Sequence, residues 1–330
     1  MALVLREDDV RAVLSMPDTL DVLDAAFRHQ ATGNARNTPR SRIVLPEARG
    51  VLHLLSAYVP GQPGHPEQDG PGLLGFKAYT AFASGVRFVV LLYSGADGRL
   101  LALIEADLLG QMRTGAASGL ATRYMARADA RIASVIGTGG QARTQALALC
   151  AARPIARMYV YGRDEARRES FCAELTALTG VEMAPVASAE EAVREADIVT
   201  TATTARDAVL LGDWLKTGTH VNAMGSNWAT RREVDAVTLE RSSVVAVDSL
   251  EQAKIEAGDL LIPAARREFD FERAVELGQI VAGEIPGRTS AEQITFFKSL
   301  GIALEDVATA GRVYELARER GLGQELDILP

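Results

Sequence analysis

The stretch Arg131-Ile-Ala-Ser-Val-Ile-Gly137-Thr-Gly139-Gly-Gln-Ala142 limits the possible folds more than any other part of this chain. A β-branched run stops at a glycine, and an alanine-rich stretch suited to a helix follows at once. Gly137 permits a tight turn. Gly139 leaves the backbone open to a pyrophosphate, and Ala142 is small enough for helix and strand to pack closely. The helix N-terminus adds free N–H groups and the positive end of a dipole. Glycine turns also occur in ordinary βα connections, so the strand and helix flanks carry the reading. They predict a dinucleotide site that includes Gly137, Gly139, Gly140, Gln141 and Ala142.

The surrounding pattern agrees. Strand-like runs at 131–137, 157–161, 197–202, 218–222 and 244–247 are interleaved with helical stretches at 141–152, 164–178 and 188–195. That alternation predicts a parallel, doubly wound sheet. The first third reads differently. Residues 7–33 look helical, with Asp18 as a helix cap and a break at Gly33-Asn34. Strands follow at 41–45, 51–58, 73–82, 88–93 and 100–104, joined by turns such as Gly95-Ala-Asp-Gly98, which suggests an antiparallel meander. The stretch Pro60–Gly72 is too rich in Pro and Gly for a regular element, and reads as a flexible loop or an interface rim. A helix from about 300 to 321 follows the nucleotide region and is expected to return to the first domain. The fold class is therefore α/β: a Rossmann-type doubly wound parallel sheet plus a discontinuous α+β domain with antiparallel strands. The expected division is 1–113 with 306–330 against 114–305, and 330 residues leave room for both.

Several function classes are disfavoured. A formal net charge of −8, with no run of Lys or Arg, argues against a nucleic-acid partner. Acids at positions 7–9 interrupt any signal-peptide core, and no apolar run approaches membrane-span length. Cys150 and Cys172, both in helical stretches, do not look like a disulfide framework, so a reducing cytoplasm is expected. His29, His53, His65 and His220 form no metal spacing, and no G-x-S-x-G elbow occurs. No metal is expected.

Other residues suggest chemistry. The second strand of the nucleotide unit ends in Gly162-Arg163-Asp164. An acid there would hold ribose hydroxyls, whereas an arginine suits a 2′-phosphate. Arg163 therefore favours NADP(H), while Asp164 turned inward would suit NAD(H). Thr200-Thr-Ala-Thr-Thr204 ends a strand on the cofactor side, so Thr201 and Thr203 could line the nicotinamide ribose or simply fill the strand. Lys77, in Gly75-Phe-Lys-Ala-Tyr-Thr80, shares a strand face with Tyr79. Arg113 precedes Thr114 at an expected helix start, where a cation opposes the dipole, so anion binding would explain it.

Together these segments resemble the ornithine cyclodeaminase / mu-crystallin family. The matching stretches are Arg42-Ile-Val-Leu-Pro46, Gly75-Phe-Lys-Ala, Arg113-Thr-Gly-Ala-Ala, Gly137-Thr-Gly-Gly-Gln-Ala142, Val221-Asn-Ala-Met-Gly225 and Phe297-Lys-Ser-Leu-Gly-Ile-Ala-Leu-Glu-Asp306. They span nearly the whole chain. The Arg-Thr and Phe-Lys-Ser-Leu-Gly segments are far more specific than the glycine turn.

The resemblance implies a homodimer whose first domain binds substrate and dimerises. It implies that Arg42, Lys77 and Arg113 hold a substrate carboxylate, with Lys77 at the reacting centre. It also places Arg113, Thr114, Ala223, Met224, Gly225 and Ser299 on the cofactor. Where ornithine cyclodeaminases have a glutamate and an aspartate, this chain has His53 and Asn227. These would face the substrate side chain and serve an ornithine ammonium poorly. The implied activity is reduction of α-imino acids by NADP(H), with NAD(H) as the other cofactor, and amino-acid oxidation in reverse. The small-molecule partner would be an imino or amino acid. The alternatives are an NAD-dependent cyclodeaminase of another diamino acid and a non-catalytic, crystallin-like binding protein.

Overall fold

Alternating apolar residues in the first third, and strand–helix alternation beyond it, lead to two separate sheets. The computed structural model describes residues 1–61 and 72–327; most of the Pro60–Gly72 stretch falls outside them. The chain divides into two units, Met1–Arg113 with Gly301–Pro330, and Thr114–Leu300.

The chain opens with β1 (Ala2–Leu5), α1 (Glu7–Val13) and α2 (Met16–Ala31). Strands β2 (Arg36–Asn37), β3 (Ser41–Leu45), β4 (Gly50–Val59), β5 (Leu73–Phe82), β6 (Gly85–Ser94) and β7 (Leu100–Glu105) follow. Helix α3 (Asp107–Met125) carries the chain across the boundary between the units. The second unit contains β8 (Ile132–Ile136), α4 (Gly140–Ala152), β9 (Arg157–Tyr161), α5 (Glu165–Thr179), β10 (Glu182–Pro185), α6 (Ala189–Arg194), β11 (Ile198–Thr201) and β12 (His220–Ala223). It continues with α7 (Ala236–Arg241), β13 (Ser242–Val247), α8 (Leu250–Glu256), α9 (Gly258–Ala265), β14 (Ala274–Glu276), α10 (Leu277–Val281) and β15 (Ile294–Lys298). Helix α11 (Ala303–Glu319) and β16 (Gln324–Leu326) belong to the first unit.

The first sheet runs β16-β1-β7-β6-β5-β4-β2, with β3 also on β4. Strands β4 to β7 form the expected antiparallel meander. The sheet as a whole is mixed, because β1 pairs parallel with β7 and antiparallel with β16. Ala2-Leu-Val-Leu5 is a short run without alternation, and its partner Ala102 lies far along the chain, so nothing local marks it as a strand. The long helix expected at 7–33 is two helices. Ser15, not Asp18, caps the second by accepting from the Asp18 N–H at 3.2 Å.

Register puts Arg42, His53, Tyr79 and Phe88 in one row across the sheet, and Leu55, Lys77 and Val90 in the next row of the same face. Helix α11 packs on that face. Gly75 makes the approach possible, since a Cβ there would sit 3.0 Å from Val307 Cγ2. No side chain of its own caps α11; Asn37 Oδ1 instead accepts from the Leu304 N–H at 3.0 Å.

The second sheet is parallel throughout, in the order β10-β9-β8-β11-β12-β15-β13-β14. The strand order turns back on either side of β8, where open α/β sheets bind ligands beyond their strand ends. Strands β10, β14 and β15 were not expected. Each has only three to five residues.

The boundary lies between Leu300 and Gly301 rather than at 305/306. Hydrogen bonds explain the shift. The Leu300 N–H donates to Asp248 Oδ2 in the second unit, and the Gly301 carbonyl accepts from Arg40 in the first.

Candidate active site

The first unit buries an ionic cluster on the sheet face under α11. Lys77 Nζ donates to Asp306 Oδ1 at 3.0 Å. The same oxygen accepts from Arg113 Nε at 2.8 Å, and Arg113 Nη1 reaches Glu305 Oε2 at 2.7 Å. Strand β5 delivers Lys77, α3 delivers Arg113, and the first turn of α11 delivers both acids. Gly110 on α3 leaves room for the lysine, because a Cβ there would lie 2.7 Å from Nζ. Gly301 does the same for Arg113: it has φ +74°, and a Cβ would meet Nη1 at 2.3 Å. The hydrogen bond to Asp306 uses only part of the Lys77 ammonium's donor capacity, so N–H groups remain for a ligand.

Arg40 completes this cluster. It donates to the Tyr79 hydroxyl at 2.6 Å and to the Gly301 carbonyl at 2.8 Å. Arg42 lies in register with His53, and His53 stacks on Tyr79 with ring centroids 4.1 Å apart. Sequence reasoning chose Arg42 and passed over Arg40, which is the more buried and bonds the hydroxyl of Tyr79, whose ring centroid lies 5.8 Å from Lys77 Nζ. The signal was available: Arg40 continues the alternation of β3 by one step, on the face of Arg42.

Burial and charge set the protonation of these groups. Burial, the largest effect, together with the Arg113 and Arg40 charges, lowers the Lys77 pKa to about 8, although Asp306 pulls it upward. Burial alone would lower the Arg113 pKa, but the Asp306 and Glu305 carboxylates hold it above its usual range. Burial, with the charges of Arg40 and Arg42, lowers the His53 pKa to about 3, so the imidazole stays neutral at working pH. Arg113 was expected at a helix start. It instead sits inside α3, which begins at Asp107, so the dipole argument does not apply. Its charge is met by the two acids of α11.

The second unit has a cleft of about 510 Å3 where β8, β9 and β11 end. It is formed by residues 136–139, 161–163 and 202–206, with Arg167 and Val209. Gly137, Gly139, Arg163 and Thr203 are the expected residues that line it. Gly137 has φ +126°, and a Cβ would strike the Ala202 carbonyl at 2.2 Å. At Gly139 a Cβ would meet nothing within 4 Å, so space for a ligand lies over this backbone. Gly140 and Gln141 open the 13-residue helix α4, whose free N–H groups suit phosphate. Ala142 is fully buried against the sheet. These features fit a dinucleotide.

Other expected cofactor residues are placed differently. The Thr201 and Thr203 hydroxyls both donate to Glu233 and are committed there rather than to a ribose. The Gly225 N–H also goes to Glu233. Ala223 ends β12, and the Met224 N–H donates to the Thr201 carbonyl. Thr114 is buried and its carbonyl accepts from Gln145. Ser299 is buried, with no partner for its hydroxyl among the described residues. Asn227 is half-buried in the loop after β12. Asp164 caps α5 by accepting from the Arg167 N–H at 2.8 Å, so it is not turned inward. Arg167 and Arg206, overlooked in the sequence, also line the cleft. Among the described residues, no group of three or more His, Cys, Asp or Glu side chains could hold a metal ion. No described helix is long and apolar enough to cross a membrane.

The profile of the ornithine cyclodeaminase/mu-crystallin family matches residues 1–321. This chain belongs to that family. A curated relative is the Delta(1)-pyrroline-2-carboxylate reductase of Bacillus cereus, 38% identical over 269 residues that cover 78% of this chain and 82% of that one. Among solved structures, the Thermococcus litoralis Delta(1)-pyrroline-2-carboxylate reductase, in complex with NADH and L-proline, superposes with a TM-score of 0.91 at 36% identity. That similarity covers 98% of this chain and 100% of the other. An archaeal alanine dehydrogenase dimer with bound NAD superposes with a TM-score of 0.90 at 29% identity, covering 99% of each chain. The family's shared architecture, a parallel nucleotide-binding sheet joined to a mixed sheet, is the one described above.

Proposed function

We propose that this family member reduces α-imino acids with a nicotinamide cofactor, and oxidises the corresponding amino acids in reverse. The buried Lys77–Asp306–Arg113 cluster with Arg40 beside it carries this reading. Lys77, Arg113 and Arg40 give this face cationic N–H donors of the kind a substrate carboxylate needs. Arg40 and Arg113 bind that carboxylate through charge-assisted hydrogen bonds, with Arg42 extending the same face. Lys77, as an ammonium, gives a proton to the imine nitrogen, and Asp306 holds the lysine in place. His53, neutral and stacked on Tyr79, faces the substrate side chain beside this cluster and supplies no negative charge for an ammonium; Asn227, where cyclodeaminases carry an aspartate, supplies none either. When bound, the nicotinamide supplies the hydride that reaches the α-carbon. The test is to mix protein, NADPH and a panel of cyclic five- and six-membered ketimines, plus pyruvate with methylamine. Loss of the reduced-nicotinamide absorbance with formation of the amino acid is expected. Ammonia release from diamino acids without net loss of that absorbance would point to a cyclodeaminase instead.

NADP(H) is the preferred cofactor on this reading, because Arg163, Arg167 and Arg206 surround the cleft while Asp164 is engaged as a cap. Replacing Arg163 by alanine is expected to lower kcat/KM with NADPH by about tenfold to a hundredfold, as for a lost charge-assisted hydrogen bond, with little change for NADH. Equal losses with both cofactors would refute the 2′-phosphate role.

The working form is a homodimer. The sheet face opposite Lys77 exposes Ile43 (62%), Leu52 (38%), Leu54 (44%) and Leu74 (44%). Light scattering is expected to report a dimer, and Leu54→Glu a monomer. A monomeric unaltered protein would contradict this.

A further inference from the structure

We infer that Glu233 is a positioning residue that shapes the cofactor cleft from beneath. The inference rests on the nicotinamide reading of that cleft. Glu233 is fully buried and does not line the cleft itself. Its Oε1 accepts from the Thr203 N–H at 2.7 Å and the Thr203 hydroxyl at 2.7 Å. Its Oε2 accepts from the Thr201 hydroxyl at 2.9 Å and the Gly225 N–H at 2.6 Å. The Glu233 backbone carbonyl accepts from Val209 at 2.8 Å and Leu210 at 3.0 Å. One residue therefore ties down both ends of the segment that forms a wall of the cleft, and the loop after β12 as well. The fit is close: a Cβ at position 225 would lie 2.3 Å from Glu233 Oε1.

Glu233 is itself held. Asp259 Oδ1 accepts from the Glu233 N–H at 2.6 Å and the Val234 N–H at 3.1 Å. Asp259 Oδ2 pairs with the fully buried Lys298 at 2.8 Å, and Lys298 donates to the Ser226 carbonyl at 2.6 Å. The ends of β11, β12 and β15 are thus joined through two acids and a lysine. The donors also explain why the residue is a carboxylate. The Thr203 and Gly225 N–H groups can only donate, and each faces a different carboxylate oxygen. Glutamine would turn its NH2 against one of them. Burial pushes the Glu233 pKa up, while Lys298 and the Thr203 donors pull it down.

The test compares Glu233→Gln with the unaltered full-length protein. The expected result is a rise of about tenfold or more in Kd and KM for the nicotinamide cofactor, with kcat at saturating cofactor and KM for the imino acid changed less than about threefold. Thr203→Val removes a single donor and is expected to raise the cofactor KM by a few fold, which supplies the same readout if the glutamine variant does not fold. Cofactor affinity unchanged in both variants, or all parameters falling together with the melting temperature, would overturn the positioning role. If the unaltered protein binds neither NADPH nor NADH, the nicotinamide reading fails and this inference falls with it.

Discussion

Lys77→Ala is expected to lower kcat for imino-acid reduction by about 10²- to 10⁴-fold, the usual contribution of a positioned proton donor. The same variant should lose a feature of the pH profile. With a pKa of about 8, the lysine is an ammonium below that pH and a neutral amine above it. Reduction needs the proton, so its rate falls as pH rises through about 8. Amino-acid oxidation needs the free base, so its rate rises over the same interval. Initial rates in both directions, measured across pH for the unaltered protein and the variant, test this. A variant that keeps the full rate, or the same limb, removes Lys77 from proton transfer.

Asp306→Asn is expected to be costly in a different way. Its Oδ1 binds both Lys77 and Arg113, and all three side chains are almost wholly buried. Removing the anion leaves two cations facing each other across a neutral amide. Breaking a buried ion pair from one side destabilises by about 3–5 kcal/mol, so the denaturation midpoint should drop clearly. The sign of the kinetic effect also follows. Asp306 raises the Lys77 pKa, so without it burial and the Arg113 charge lower that pKa below about 8. The pH limb of reduction therefore moves to lower pH. Stability measured by denaturant and rates measured across pH check the two halves independently. A limb that stays in place would mean that Asp306 does not set the lysine's protonation.

What could be read from the sequence followed from how local the determining interactions are. The turn at Gly137 is written in adjacent residues: the strand, the glycine and the small residue that lets the helix close. The long meander strands carry their own alternation. Strand β1 does not, because it is four residues long and exists only through pairing with β7 and β16. The start of α3 was expected at Thr114, but the helix begins at Asp107, whose N–H is met by Glu7, a residue a hundred positions away that no local pattern reveals.

In the candidate site, Lys77 and Arg113 were visible as basic residues in recognisable segments. Their counter-ions were not, because Asp306 and Glu305 reach them only when α11 packs back on the first sheet. Arg40 was hidden by its neighbour Arg42, which had the same character two positions on. Glu233 was invisible for a similar reason. It sits in an ordinary charged run, Arg231-Arg-Glu-Val, and its partners come from elsewhere in the chain: Thr201 from the end of β11, and Thr203 and Gly225 from the loops after β11 and β12.

The central claim is that the hydride goes from the nicotinamide to the α-carbon of a substrate whose carboxylate is held by the basic cluster. It can be tested with NADPH carrying deuterium at C4 and Δ1-pyrroline-2-carboxylate or its six-membered analogue as substrate, with the product examined by mass spectrometry and proton NMR. Deuterium at the α-carbon, one atom per cofactor oxidised and accumulating about 10²- to 10⁴-fold more slowly with the Lys77→Ala protein, is the expected outcome. Cofactor that stays reduced in the presence of every cyclic and linear imino acid supplied, or deuterium found at any other position, would contradict it.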